Sequence, residues 1–407
     1  MADVSTPLED HEMTDEAEIQ NYVKQNGVNG ISEFLKEKLD AWKKTEVHIG
    51  ITGDSGTGKS SFANAIKGLA DDSDGAAKTG VVEVTLEPTP FDHPENPNIK
   101  IWDLPGIGTQ TFPDLETYCD KIQFDNYHTF LIFSGTRFTK NDAMLAQEIR
   151  KQGRSFFFIR TKIDENYRAE KRKKSFNEAD MLRDIRLDCL KNLVDEDYNP
   201  ISGEDNIFLI SNHYPRRWDF DRLTRAILDA LPRYQRESLT LSLNALTSLS
   251  REILKRKVDI FKRRMWLVAG ASAAVALAPI PGLSFGVDMV LISYEISQYL
   301  AQIGIPKEGS EIFDILADTT KKQVISLYLN FASTAGISAI LAREAGAGIV
   351  TEEFVRFIPF IGSAIASTLS FAGTFAVLRI ALNKIEAVAL AVLEDAAQRS
   401  VDNLDRD

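Results

Sequence analysis

A chain of 407 residues is long enough for two or three domains, each able to bury its own core, and 44% hydrophobic with 26% charged residues excludes wholesale disorder. The net charge of −12, from 59 Asp+Glu against 47 Lys+Arg, disfavours nucleic acid as a partner of the surface as a whole. Two cysteines, Cys119 and Cys189, are too few for a disulfide framework or a zinc site and suit a reducing cytosol, so a cytoplasmic chain is expected.

The first twenty residues carry seven acidic side chains and no Lys or Arg, the reverse of a secretory leader's basic start. Residue 2 is Ala2, so the Gly that N-myristoylation requires is absent. Residues 1–13 are predicted to be a disordered acidic tail. From Thr14 to Lys44 the apolar positions Ile19, Val23, Ile31, Phe34, Leu35, Leu39 and Trp42 predict a helical segment packing with the C-terminal helices, broken near "NGVNG".

Between residues 45 and 232 short β-rich runs alternate with longer helical stretches. The runs are "VHIGIT", "IKIWDL", "TFLIFSG", "SFFFIRT" and "NIFLIS". Such alternation predicts an α/β domain, a mostly parallel sheet with helices on both faces. Pro232 in "DALPRYQRE" reads as its exit, and residues 233–407 read as an all-α domain.

Immediately after the first strand comes "GDSGTGKSS", Gly53, Asp54, Ser55, Gly56, Thr57, Gly58, Lys59, Ser60 and Ser61, which fits GxxxxGK[ST]. Glycines at this spacing let the backbone wrap a phosphate with its N–H groups inward. Lys59 supplies a mobile cation for the β- and γ-phosphates, the Ser60 hydroxyl suits Mg²⁺, and the following helix offers its N-terminus to the same anion. The strand–loop–helix context separates this match from an ordinary Gly-rich turn. "WDLPG" ends the next strong strand, placing Asp103 to hold the Mg²⁺ hydration shell and the Gly106 N–H to sense a γ-phosphate.

The base is read by "RTKID". The Asp164 carboxylate accepts from both N1–H and the exocyclic amine of guanine, a donor pair adenine lacks, and Lys162 lies over the ring. Thr161 stands where Asn is more usual, which weakens a supporting hydrogen bond. Ser211 and Asn212 in "LISN" are placed to give a backbone contact to the guanine oxygen. These elements in this order predict GTP or GDP with Mg²⁺ as the bound species.

The switch I hydroxyl for Mg²⁺ is sought in "GAAKTGVVEVT". Thr79 is the first choice and Thr85, a possible strand residue, the second. Glu83 is either a catalytic helper or an exposed strand residue. Ras-type enzymes place a water-orienting Gln soon after the switch II Gly; here Ile107 follows Gly106, and Gln110 lies further along. Slow intrinsic hydrolysis is expected until something else assists, such as a facing subunit.

Three uncharged runs mark the C-terminal half: Trp266–Val287, Gln323–Ala342 and Phe357–Leu378. Each reaches the ~20 residues of a spanning helix. The first is broken by Pro279, Pro281 and Gly282, the second contains Gln323, Asn330 and several hydroxyls, and all are rich in Ala, Gly and Ser. Upstream, "REILKRKVDIFKRRM" sets Leu254, Val258, Phe261 and Met265 on one helical face, with Lys and Arg opposite. Three readings stand for this basic helix (residues 250–265) and the apolar helices after it: packing inside a helical domain, contact with an anionic intracellular membrane or hairpin insertion into it, and permanent spanning.

The runs "GDSGTGKSSFANAIKG", "GAAKTGVVEVT", "WDLPGIGT", "FPDLETY", "RTKIDEN", "MLRDIRLDCL" and "IFLISN" resemble the immunity-related GTPases, the interferon-inducible family of vertebrates, in their lysine-bearing "GKS" form. The resemblance is strong from Thr45 to Pro232 and loose over the flanking helices. It implies a Ras-like P-loop GTPase domain joined to a helical domain, GTP hydrolysis, GTP-dependent homodimers or oligomers formed through the nucleotide domain, and action at the membranes of pathogen-containing vacuoles in innate immunity. The Ala- and Gly-rich C-terminal half is similar to the helical tails of some Era-like membrane-associated GTPases. That similarity leaves a membrane GTPase without an immune role, or a nucleotide-gated protein-binding switch with incidental hydrolysis, as alternatives.

Overall fold

A computed structural model describes residues 18–404 apart from 20, 23, 28–29, 70–72, 75, 78–86, 95, 108–113, 196, 248–249, 277–282, 334, 338 and 340–364. The chain divides into two compact units, one formed by residues up to Ala41 together with those from Arg251 onward, the other by Trp42–Ser250. The second boundary falls beyond the Pro232 exit read from the sequence, because a helix at Arg233–Ser242 packs against the first strand of the nucleotide unit.

Within Trp42–Ser250 the elements are β1 (Val47–Gly53), α2 (Lys59–Lys67), β2 (Thr89–Asp92), β3 (Ile99–Asp103), α3 (Leu115–Ile122), β4 (Thr129–Ser134), α4 (Lys140–Lys151), β5 (Ser155–Arg160), α5 (Ile163–Glu170), α6 (Glu178–Asn192), β6 (Ile207–Leu209), α7 (Phe220–Ala230) and α8 (Arg233–Ser242), with α1 (Ile31–Leu39) preceding them in the other unit. The six strands form one sheet in the order β2-β3-β1-β4-β5-β6. Every pairing is parallel except β2 with β3. Each residue of β4 is buried, as are all of β1 but His48 and all of β5 but Ser155, which requires cover on both faces and explains why these strands read as continuous apolar runs.

The five expected strands are all present. The sixth, β2, carries Pro90, which cannot donate to a ladder and is tolerated at the antiparallel edge it occupies. From β1 the chain crosses first to β3 on one side, then returns to β4 on the other. The carboxyl end of β1 is therefore a switch point, where open α/β sheets bind ligands.

The other unit is helical among its described residues. Ile31, Leu35 and Leu39 of α1 lie one turn apart and are all buried. The break expected at "NGVNG" is present, with Gly27 and Gly30 at φ 64° and 73°. The helices α9 (Arg251–Ala276), α10 (Leu283–Ile303), α11 (Asp318–Phe331) and α12 (Ile365–Leu404) follow. α9 packs along both α10 and α12, and Trp266 meets Phe371 and Phe375 at ring distances of 5.5 and 4.7 Å. No helix among the described residues is long and apolar enough to cross a membrane. Pro279, Pro281 and Gly282 lie outside those residues.

The basic helix packs as the first of its readings expects, inside the helical unit. Leu254, Val258, Phe261 and Met265 are at most 3% exposed, so the face offered to a membrane is already packed inside this unit. Nor are all its cations on the outside. Lys257 is fully buried, its ammonium donating to the Gln302 carbonyl. Arg264 forms a two-pronged pair with Glu295, Nε to Oε1 at 2.7 Å and Nη2 to Oε2 at 2.8 Å, while Nη1 donates to the Leu39 carbonyl at 2.6 Å. Both charged side chains are buried, so the geometry must be satisfied in full to offset desolvation. Glu295→Ala should therefore lower the unfolding free energy of this unit by about 3–5 kcal/mol in urea titrations, by stranding Arg264. Replacing both partners together, Arg264→Met with Glu295→Leu, should cost much less.

Candidate nucleotide site

The loop leaving β1 is shaped by three glycines with positive φ, Gly53 at 134°, Gly56 at 75° and Gly58 at 88°. Gly53 has a second requirement: a Cβ there would stand 2.2 Å from the Phe133 carbonyl oxygen of β4. Gly58 is the N-cap of α2 and has no side chain to cap it, so the first-turn N–H groups keep their donors for an anion. The helix closes on Gly68 at φ 71°, with the Gly68 and Leu69 N–H groups returning to the Ala65 and Asn64 carbonyls.

Lys59 arches over this loop. Its Nζ donates to the Gly53 carbonyl at 2.8 Å and the Asp54 carbonyl at 3.2 Å, and lies 3.9 Å from Asp103 Oδ1. Burial pulls the ammonium below the usual lysine pKa, while Asp103 and Asp54 pull the other way. Thr57 is buried and its hydroxyl ties the turn at the Asp54 carbonyl, 2.7 Å away. Asp54, Ser55 and Gly56 are exposed at the tip; Ser60 and Ser61 are half-buried on the first turn of α2.

β3 brings Asp103 alongside. The Leu104 N–H donates to the Ile51 carbonyl at 2.8 Å and the Thr52 hydroxyl to the Pro105 carbonyl at 3.1 Å, fastening "DLPG" to β1. Gly106 sits next to the loop, where a Cβ would come within 3.8 Å of the Gly53 carbonyl. Ile107 accepts at its carbonyl from Asn141 Nδ2 at 3.5 Å. Thr79, Thr85, Glu83 and Gln110 lie outside the described residues.

The third segment arrives from β5 and β6. Lys162 holds a left-handed φ of 60° as N-cap of α5, and Asp164 on the first turn of that helix is 3% exposed. The Thr161 hydroxyl donates to the Thr57 carbonyl at 2.6 Å, with the Ser134 carbonyl 3.3 Å away. Ser211 is fully buried just beyond β6, and Asn212 Nδ2 donates to the Gly58 carbonyl at 2.8 Å. The phosphate loop, Asp103 and the Thr161–Asp164 and Ser211–Asn212 segments thus share one end of the sheet.

Three contributors escaped the sequence reading. Arg168, one turn after Asp164, donates to its Oδ2 at 3.3 Å and to the Tyr214 hydroxyl at 2.8 Å, steering the carboxylate; the i,i+4 spacing was the available clue. Arg160 binds the Gly135 and Thr161 carbonyls from beneath. Asp142 of α4 has its carboxyl pushed up to about 6 by burial, with Asp54 of the phosphate loop adding to the rise.

A mostly parallel sheet with a phosphate loop at its switch point and a guanine-type base loop beside it defines a P-loop GTP-binding fold. The family described as Interferon-inducible GTPase (IIGP) matches residues 13–318, more than half of the chain. The chain belongs to that family. It is 32% identical over 380 residues to interferon-inducible GTPase 5 of Rattus norvegicus, covering 92% of this chain and 79% of the relative. It is 39% identical over 262 residues to interferon-inducible GTPase 1 of Mus musculus, covering 64% and 60%. T-cell-specific guanine nucleotide triphosphate-binding protein 2 of Mus musculus is 36% identical over 267 residues, and the match spans 62% of that relative's length. Among solved structures, Aquifex aeolicus Era bound to GDP.AlF4- is 15% identical with TM-score 0.27, covering 51% of this chain and 69% of that one. An oligomerised bacterial dynamin pair is 13% identical with TM-score 0.33, covering 100% and 75%. Neither structural likeness is close enough to carry an argument.

Gly53→Ala should abolish nucleotide binding, because its Cβ would meet backbone rather than a movable side chain. Gly153 also has a positive φ, 69°, but open space around it, so Gly153→Ala should cost only ~1–2 kcal/mol of stability with GDP affinity unchanged. Calorimetric titration with GDP checks both.

Proposed function

We propose that this chain binds GTP with Mg²⁺, hydrolyses it in a reaction accelerated by self-association, and acts at intracellular membranes in cell-autonomous immunity. The observation that carries the reading is the meeting of Lys59, Asp103 and Asp164 at one end of the sheet, in a member of the interferon-inducible GTPase family.

In this reading the loop N–H groups from Asp54 to Ser61 and the first turn of α2 receive the β-phosphate, and Lys59 exchanges its carbonyl partners for phosphate oxygens. Asp164, aimed by Arg168, accepts from the two guanine donors. Lys162 covers the ring, and the backbone at Ser211 and Asn212 meets the guanine oxygen. Ser60 and Asp103 fit Mg²⁺: a hydroxyl beside Lys59 and a carboxylate 3.9 Å from its ammonium are the hard oxygen donors this ion takes. Bound there, Mg²⁺ neutralises phosphate charge. Thr79 is proposed to add a hydroxyl to the same shell, and Glu83 to assist the attacking water.

Ile107 has no group to orient water at the position after Gly106, so hydrolysis by a single chain is slow and a facing copy supplies what is missing. The apolar face of α9 is engaged in the helical unit, so membrane contact uses another surface or follows rearrangement of that unit.

Specific GTPase activity should rise as protein goes from nanomolar to micromolar; a flat profile would remove the self-association step. Lys59→Ala should lose GTP binding altogether. Flotation with anionic liposomes is expected to recover more protein with a non-hydrolysable GTP analogue than with GDP, and recovery in neither state would refute the membrane part.

A further inference from the structure

The base-reading segments are fastened to the phosphate loop by two side chains acting on consecutive carbonyls. Thr161 Oγ1 donates to the Thr57 carbonyl at 2.6 Å, and Asn212 Nδ2 to the Gly58 carbonyl at 2.8 Å. A hydroxyl has one hydrogen to give, whereas the Asn more usual at position 161 would have two. The donor lost at 161 is made up by the amide at 212, on the neighbouring base segment.

We infer that Asn212 is a positioning residue whose side chain couples guanine recognition to the geometry of the phosphate loop; this rests on the guanine-nucleotide reading proposed above. Gly58 stands immediately before Lys59, and its left-handed φ of 88° makes it the pivot of the loop. Its carbonyl accepts from Asn212 and from the Phe62 N–H at 2.9 Å, which uses both lone pairs. In a planar trans peptide the C=O and the following N–H point in opposite directions. Fixing the Gly58 carbonyl toward Asn212 and the helix therefore fixes the Lys59 N–H away from them, where a phosphate is received.

The amide has one way to sit. Turning it over would set Oδ1 against the Gly58 carbonyl, acceptor against acceptor. Its Oδ1 is buried and accepts no hydrogen bond among the described residues, so the orientation of the amide depends on the Nδ2 bond. Meanwhile the backbone of the same residue, one step beyond the fully buried Ser211, is the segment assigned to the guanine oxygen. A base seated correctly holds Asn212, and Asn212 holds the peptide in front of Lys59.

The test uses the full chain with GDP and with inosine diphosphate, which lacks the exocyclic amine that Asp164 reads. Asn212→Ala should speed GDP release about three- to tenfold, the loss of one hydrogen bond, and lower the GDP-to-inosine-diphosphate affinity ratio at least about twofold. Asn212→Asp, equal in shape but without the donor, should do the same or more. The thermal midpoint of the nucleotide-free protein should move little. Unchanged release and an unchanged ratio in either folded variant would overturn the proposal, as would a lowered midpoint with normal release and ratio, the mark of a purely structural bond. A parent chain that binds neither nucleotide would instead refute the guanine-nucleotide reading itself.

Discussion

At Gly53 the backbone of β1 runs so close to that of β4 that no side chain fits between them, and the loop that carries Lys59 starts from that approach. β1 and β4 stay in parallel register as far as Gly53 and Phe133, so the chain can leave the sheet only by turning away sharply. A residue free to take positive φ makes that turn, and the loop it starts must close on α2 within a few residues. The segment after β3 is pinned to the same strand end at Ile51 and Thr52, and the segment after β5 to the loop itself at Thr57. The site is one knot of backbone from which side chains emerge.

This half of the molecule was largely legible because its physics is local. Continuous apolar runs marked β1, β4 and β5 since each is covered on both faces, and the Gly spacing in "GDSGTGKS" states the loop's conformation directly. Legibility failed where a residue's role is set by a partner distant in sequence. β2 was missed because Pro90 argues against a strand unless the strand is an antiparallel edge. Nothing in "RTKID" shows that Thr161 reaches the Thr57 carbonyl, or that Asn212 lies within reach of Gly58. Arg160, the first residue of "RTKID", gave no sign that it binds the Gly135 carbonyl.

The helical unit shows the opposite limit. "REILKRKVDIFKRRM" has the periodicity of a helix with a charged face, and its apolar face was read well. The charged face was not, because two of its cations turn inward. Lys257 and Arg264 are on the buried side by virtue of Gln302, Glu295 and Leu39, which lie on α10 and at the end of α1. A helix that carries its own counterions from elsewhere in the fold has the same composition as one that seeks anionic lipid. Distinguishing them takes the position of Glu295, the one charged residue between Met289 and Ile303, which periodicity alone does not connect to Arg264.

The Arg264–Leu39 hydrogen bond joins pieces of chain separated by the whole of Trp42–Ser250. A ribosome adding about 5–20 residues per second therefore finishes the nucleotide unit before α1 meets α9 and α10. For that interval, on the order of tens of seconds, the apolar ridge of Ile31, Leu35 and Leu39 is a nascent-chain feature waiting on a unit still to be synthesised. The order of synthesis thus completes the nucleotide unit first, and leaves the apolar ridge of α1 without its partners until α9 and α10 emerge.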